Sequence, residues 1–202
     1  MEIRGYETNF GDWIMDRALD AFRDTGAQAA VINAGSLRLN QNIAAGQPIT
    51  RRMGEELFAF PTRLRLIEID RATLRKVVEH AVTGWPGNGR WLQVAGLVFR
   101  HDPAAGTATG LVLLGANGAR PVTDGERIRL VTGTYLLDRT GDQDGYTMLG
   151  TEQIVPSSAE DRTLKPLVID GLRAAGEAGI APALEGRICT TGRPGPCLAG
   201  PE

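Results

Sequence analysis

Along this chain of 202 residues the period of the apolar positions changes several times, and each change marks an element. Ile14, Ala18, Ala21 and Phe22 recur at helical spacing behind Asn9, which can cap, and Asp12, which sits near the positive end of the helix dipole. That spacing predicts a helix from Asn9 to about Thr25-Gly26. The next apolar run, Ala29-Ala30-Val31-Ile32, is continuous rather than periodic and predicts a short buried strand. It breaks into a tight turn of small residues, Asn33-Ala34-Gly35-Ser36-Leu37-Arg38.

Residues 41–47 read as a loop. Thr50 can cap a short helix through Arg52, Glu55, Leu57 and Phe58, which ends by presenting Phe60. Leu64 to Ile69 reads as a strand, and Asp70 caps a helix from Arg71 to Val82 with Leu74, Val77, Val78 and Ala81 on one face. After the loop Gly84-Trp85-Pro86-Gly87-Asn88-Gly89, Trp91 to Phe99 and Gly110 to Leu114 read as antiparallel strands. Asn117-Gly118 is a hairpin signal, and Arg127 to Thr132 is the following strand. Thr163 to Ala175 predicts a last helix with Leu164, Leu167, Val168 and Leu172 inward.

The alternation of amphipathic helices with short apolar strands predicts an α/β fold with mixed sheets and outer helices. With 42% hydrophobic and 23% charged residues the chain can form one sizeable core, and a domain of this length typically buries about 70% of its unfolded surface. A net charge of −2 and a pI near 5.8 give no general electrostatic case for nucleic acid or an anionic membrane, so any phosphate binding must be local. No apolar run approaches the roughly 20 residues of a spanning helix, and the first residues lack a signal-peptide core, so nothing in the chain as written directs export.

Two histidines, His80 and His101, are too few for a di-metal phosphohydrolase centre, which needs several His and Asp ligands. On the helix from Arg71, His80 is expected to pack or lie at the surface. Cys189 and Cys197 flank a short Gly/Pro loop that suits either a disulfide or two free thiols. From Cys189 on, Gly and Pro dominate. The expected organisation is a domain over 1–188 and a flexible tail over 189–202.

Candidate chemistry gathers at two places. The strand ending at Asn33 brings backbone amides and an Asn amide to its tip, and the guanidinium of Arg38 suits bidentate contact with an oxyanion. A strand-to-loop turn with a surface Arg satisfies the same pattern. Between Tyr135 and Tyr146 lies an acidic, glycine-bearing loop. Its Asp138, Asp142 and Asp144 lack the spacing and terminal Glu of an EF-hand, so calcium is the lesser reading.

Taken with Arg4-Gly5-Tyr6, Asn9-Phe10-Gly11-Asp12, Pro48-Ile49-Thr50, Phe58-Ala59-Phe60, Leu92-Gln93-Val94-Ala95-Gly96-Leu97 and Asp144-Gly145-Tyr146, these stretches resemble the C-terminal, substrate-recognition domain of the 5′-nucleotidase and UDP-sugar hydrolase family. The likeness runs from about Arg4 to Ile188, with Ala181 to Ile188 similar to the closing strand. It implies a layered α/β/β/α fold and a nucleotide or nucleoside ligand. The implied site has Phe60 and Tyr135 stacking on the two faces of the base, Asn33 contacting the base, Asp144 (with Asp142 as the alternative) binding ribose hydroxyls, and Arg38 and Arg4 gripping phosphate.

Three residues depart from the family pattern. Ser36 replaces a glycine of the turn, Pro61 follows Phe60 where glycine is usual, and Gln143 replaces a glycine of a lengthened acidic loop. In the family a metallophosphatase domain precedes this one and binds the divalent metals, and its motifs do not occur in these residues. The resemblance therefore implies no catalytic residue and no cofactor here, and a metallophosphatase domain or chain as partner. The other reading is a standalone, non-catalytic nucleotide-binding or interaction module. Family members are typically periplasmic or extracellular.

Overall fold

A computed structural model describes residues 2–38, 41–115, 118–156 and 162–199. Two four-stranded mixed sheets share one core. In the first, the order is β2 (Leu64–Asp70), β7 (Arg127–Gly133), β1 (Ala29–Asn33) and β3 (Leu92–Ala95), with β1 and β7 parallel and the other pairs antiparallel. In the second it is β6 (Gly118–Pro121), β5 (Thr107–Gly115), β4 (Leu97–Asp102) and β8 (Ile188–Thr190), with β4 and β8 parallel.

Every residue of β1 is buried, because the strand has a core on each face. Ala30 and Ile32 meet Ile14, Met15, Ala18 and Phe22 of the first helical region, together with Leu164 and Val168 of α4 (Leu164–Ala175). Ala29 and Val31 face the other way, toward Leu74, Val77 and Val78 of α3 (Arg71–Val82) and Leu97 and Phe99 of the second sheet. The alternation in β2 follows the same rule: Leu64 and Leu66 enter the first core, Ile67 and Ile69 the second. The expected mixed-sheet α/β architecture with outer helices is thus present.

Several boundaries differ from the sequence-based reading, each for a local reason. The helix α1 spans Asn9–Asp20, and its cap is Thr8, not Asn9: Thr8 has extended backbone angles and its hydroxyl accepts from Gly11 N at 3.1 Å. A separate turn, Arg23–Thr25, completes the segment expected to be helical. The run from Trp91 to Phe99 is two strands, broken at Gly96. There φ is +66°, and a Cβ would stand 2.3 Å from Gln28 O, so only glycine lets the chain pass from one sheet to the other. Thr50 caps α2 (Arg51–Leu57) and Asp70 caps α3 as read.

β5 and β6 pair antiparallel at the expected hairpin, whose Asn117 lies outside the described residues. The closing strand begins only at Ile188, so the expected boundary at 188/189 falls inside β8. Beyond it, a Cys189–Cys197 disulfide and a Leu198 N to Gly186 O hydrogen bond of 2.9 Å return the chain to the domain.

A buried charged cluster fastens this end of the chain to α1. Glu7 accepts from the backbone N–H groups of Glu185, Gly186 and Ile188 at 2.8 to 2.9 Å. Burial, reinforced by Glu7, pushes the Asp12 carboxyl up to about 9, so it keeps its proton at neutral pH and donates it to Glu7. Burial also raises Glu7, but hydrogen bonds from Asp12 and the 186–188 backbone outweigh it and hold Glu7 below the usual range. Arg187, buried beside them, donates to Val94 O at 3.0 Å and pairs with Asp16 at 2.8 Å.

His101 has no accessible surface, and its ring packs edge-on against both Trp85 and Trp91, each at 5.1 Å. Neither ring nitrogen has a partner among the described residues. Burial lowers its pKa from 6.5 to about 4. The unfolded chain therefore takes up this proton first: the stability tied to a neutral His101 is complete above pH 6.5 and is lost as pH falls toward 4, amounting to about 3 kcal/mol. His101→Phe should keep stability at pH 7 within about 1 kcal/mol, because an unsatisfied polar ring is exchanged for an apolar one of similar shape. Urea unfolding at pH 7, 5.5 and 4.5 should show the variant losing less stability on acidification than the wild type; parallel losses would contradict this.

Candidate functional site

The tip of β1 sets the site. Asn33 leaves the strand with its side chain almost wholly buried, and the single turn Ala34–Ser36 follows directly. Both ends of its amide are fixed: Oδ1 accepts from Ser36 Oγ at 2.6 Å, and Nδ2 donates to Asp144 Oδ2 at 2.6 Å. Ser36 is itself buried, and its hydroxyl serves to orient Asn33. One amide hydrogen and one oxygen lone pair remain for a ligand.

Asp144 reaches this point from the acidic loop. Gln143 and Asp144 both have left-handed backbones, with φ of 50° and 51°, a conformation that non-glycine residues adopt at a cost. The loop is held there by the buried Gln143, whose amide donates to Leu136 O at 2.7 Å, and by Gly145 N, which donates to Asp142 O at 2.7 Å. Gln143 thus supplies side-chain anchorage that a glycine would lack.

Tyr135 donates its hydroxyl to Asp142 and lies 3.4 Å from Asp144 Oδ1. Partial burial, the Asp142 bond and the two neighbouring carboxylates push its phenol up to about 12, so it remains a donor at any physiological pH. Hydrogen bonds from Tyr135 and from Asp144 N hold Asp142 below the usual carboxylate range. Both alternatives for the acidic position therefore lie at the site: Asp144 bonds Asn33, and Asp142 orients Tyr135. Asp138 instead accepts from Thr140. Among the described residues no group of three or more His, Cys, Asp or Glu side chains is placed to hold a metal ion.

Arg38 and Phe60 form the other half. Arg38 Nε donates to Gly35 O at 2.7 Å, and its guanidinium carbon lies 5.2 Å over the Phe60 ring. Its terminal nitrogens have no partner among the described residues. Phe60 is 55% exposed and Tyr135 40%, so two aromatic rings face solvent around the same turn.

Arg4 belongs to the turn Glu2–Arg4, which packs against Ala34–Ser36. Its Nε is buried without a partner among the described residues. That N-terminal segment is pinned by buried Gln93, which donates to Ile3 O at 3.0 Å and Tyr6 O at 2.8 Å, and by Trp85 Nε1, which donates to Gly5 O at 2.6 Å.

Sequence reasoning missed the third wall, the loop from Gly84 to Arg90. Gly35 N donates to Gly89 O at 2.9 Å, and the Cβ positions of Gly35 and Gly89 both lie 3.4 Å from Asp144 Oδ2, so the strand tip, this loop and the Asp144 carboxylate meet. The Gly-rich composition of the loop was the available signal. A cavity of about 170 Å³ near Tyr6, Ile188 and the disulfide, and a broad groove between residues 41–49 and 176–182, are lined by other residues.

The family model described as 5′-nucleotidase, C-terminal domain, matches residues 1–151. Among solved structures, the 5′-nucleotidase precursor of Thermus thermophilus is similar over 95% of this chain and 37% of its own, with 26% identity and a TM-score of 0.80. The NAD nucleotidase of Haemophilus influenzae is similar in fold over 91% of this chain and 33% of its own, at 16% identity and a TM-score of 0.64. The sulfate thiohydrolase SoxB of Thermus thermophilus is similar in fold over 90% and 32%, at 17% identity and a TM-score of 0.60. No curated protein sequence matches significantly. The chain thus spans about a third of the length of these structures. With the family model covering most of its length and the fold reproduced throughout, the chain belongs to the 5′-nucleotidase C-terminal domain family.

Proposed function

We propose that this domain recognises a nucleotide, stacking the base between Phe60 and Tyr135, holding ribose hydroxyls on Asp144 and taking phosphate on Arg38 and Arg4. The observation that carries the reading is the Asn33–Asp144 hydrogen bond of 2.6 Å, with the exposed Tyr135 hydroxyl 3.4 Å from the same carboxylate and the exposed Phe60 under Arg38 of the same turn. An apolar ring left in water is costly unless something covers it, and Phe60 and Tyr135 are both held in place by polar groups around them. Stacking contributes about 1–3 kcal/mol per base and a charge-assisted contact to phosphate about 1.5–3 kcal/mol. Hydrolysis, on this reading, belongs to a metallophosphatase domain or chain, and these residues supply recognition.

Two outcomes are expected. Phe60→Ala should weaken adenosine and AMP by a similar factor, whereas Arg38→Ala should weaken AMP and UMP and leave adenosine unchanged, because a guanidinium contact exists only when the oxyanion does. Added salt should weaken nucleotide more than nucleoside. Calorimetry or ligand-observed NMR reads each of these affinities. Equal loss of adenosine and AMP on Arg38→Ala, or no binding at millimolar concentration, overturns the proposal. Second, the purified chain should release no phosphate from nucleotides with manganese, zinc or cobalt added, since among the described residues no group of three or more His, Cys, Asp or Glu side chains is placed to hold a metal that would lower the pKa of a bound water. Metal-dependent release that survives repurification and is abolished by one substitution in this chain refutes that division of labour.

A further inference from the structure

We propose that His80 is a positioning residue of this site: its imidazole clamps the Asp144 turn and so sets the affinity for the ribose hydroxyls. The ribose part rests on the reading of Asp144 given above. His80 stands in the last turn of α3, an element that contributes nothing else to the site. Its Nε2 lies 2.8 Å from Asp144 O. A carbonyl oxygen only accepts, so Nε2 carries the hydrogen and donates it.

The clamp fits the strain it restrains. Gln143, Asp144 and Gly145 are three consecutive residues of positive φ, and two of them are not glycine, so the turn holds a conformation that costs energy even with its Gly145 N to Asp142 O and Tyr146 N to Gln143 O bonds. A Cβ at Gly145 would stand 2.9 Å from the imidazole, so glycine at 145 is the space the ring occupies. On its other side the ring meets Tyr146 edge-on at 4.7 Å, and the Tyr146 hydroxyl donates to Arg90 O, in the loop that carries Gly89 against Asp144. His80 therefore joins α3, the acidic turn and the glycine loop at the one residue whose carboxylate meets Asn33. Its carbonyl is tied by His80 and its carboxylate by Asn33, which fixes Asp144 at both ends.

His80 is only half-buried, so its truncation should not unfold the domain. In His80→Ala, affinity for adenosine should fall about five- to tenfold, the worth of one ordering hydrogen bond. Affinity for 2′,3′-dideoxyadenosine, which lacks the hydroxyls, should stay within about twofold of wild type. His80→Gln, which keeps an N–H donor, should recover most of the loss. His80→Ala combined with Asp144→Asn should bind adenosine no more weakly than Asp144→Asn alone.

Without ligand, hydrogen exchange of the Gly145 amide should accelerate in His80→Ala and not in His80→Gln, while the α3 amides stay protected. Equal loss for both nucleosides, an unchanged adenosine affinity, or unchanged exchange at Gly145 overturns the positioning role. If the wild type binds neither nucleoside, the nucleotide reading and the ribose role fall together, and exchange at Gly145 alone decides whether the clamp exists.

Discussion

A strand with no exposed face must be covered on both sides, and β1 imposes that constraint on the whole domain. Because Ala30 and Ile32 need one core and Ala29 and Val31 another, helices must lie on one side of the first sheet, and α3 with the second sheet on the other. The strand cannot bury a further polar residue at this depth without partners. Asn33, the first polar side chain it carries, accordingly meets Ser36 and Asp144 where the strand ends. The candidate site is the place where a fully buried strand surfaces.

The N-terminal segment is held to this frame by buried polar groups. Gln93 directs its amide to Ile3 and Tyr6, Trp85 and Trp91 donate to Gly5 and Tyr6, and Gly87 N donates to Arg4 O at 3.0 Å. Each of these groups would cost about 1–3 kcal/mol if left unpaired, which makes the placement of the Arg4 turn cooperative with folding of the sheet. Glu7, Asp12 and Arg187 do the same for the last strand. Two carboxyls sharing a proton beside a buried guanidinium let the 185–188 backbone cross α1 without an uncompensated charge.

These two fastenings explain why the likeness to the Thermus thermophilus 5′-nucleotidase extends over 95% of the chain, well past the 1–151 matched by the family model. The segment after residue 151 is physically part of the same core, through Leu164 and Val168, and of the second sheet, through Ile188.

Periodicity sufficed for α1, α2, α3 and α4, for β1, β2 and β7, and for the α/β class, since burial of one face or two leaves a direct mark on the order of residues. The Asn33 turn and the acidic loop were legible as places where small and polar residues interrupt apolar runs, and Phe60 and Tyr135 as aromatic residues beside them. Thr8 in place of Asn9 as cap, and Gly96 as the pivot between sheets, depend on a single backbone angle or one close approach, which no periodic pattern encodes. Contacts between residues far apart in the chain were equally invisible: Asn33 to Asp144 across 111 positions, and His80 to Asp144 across 64. Local sequence determined which segments became strand, helix or turn. Only tertiary structure decided which polar tips meet, because that depends on how two sheets and α3 pack around β1.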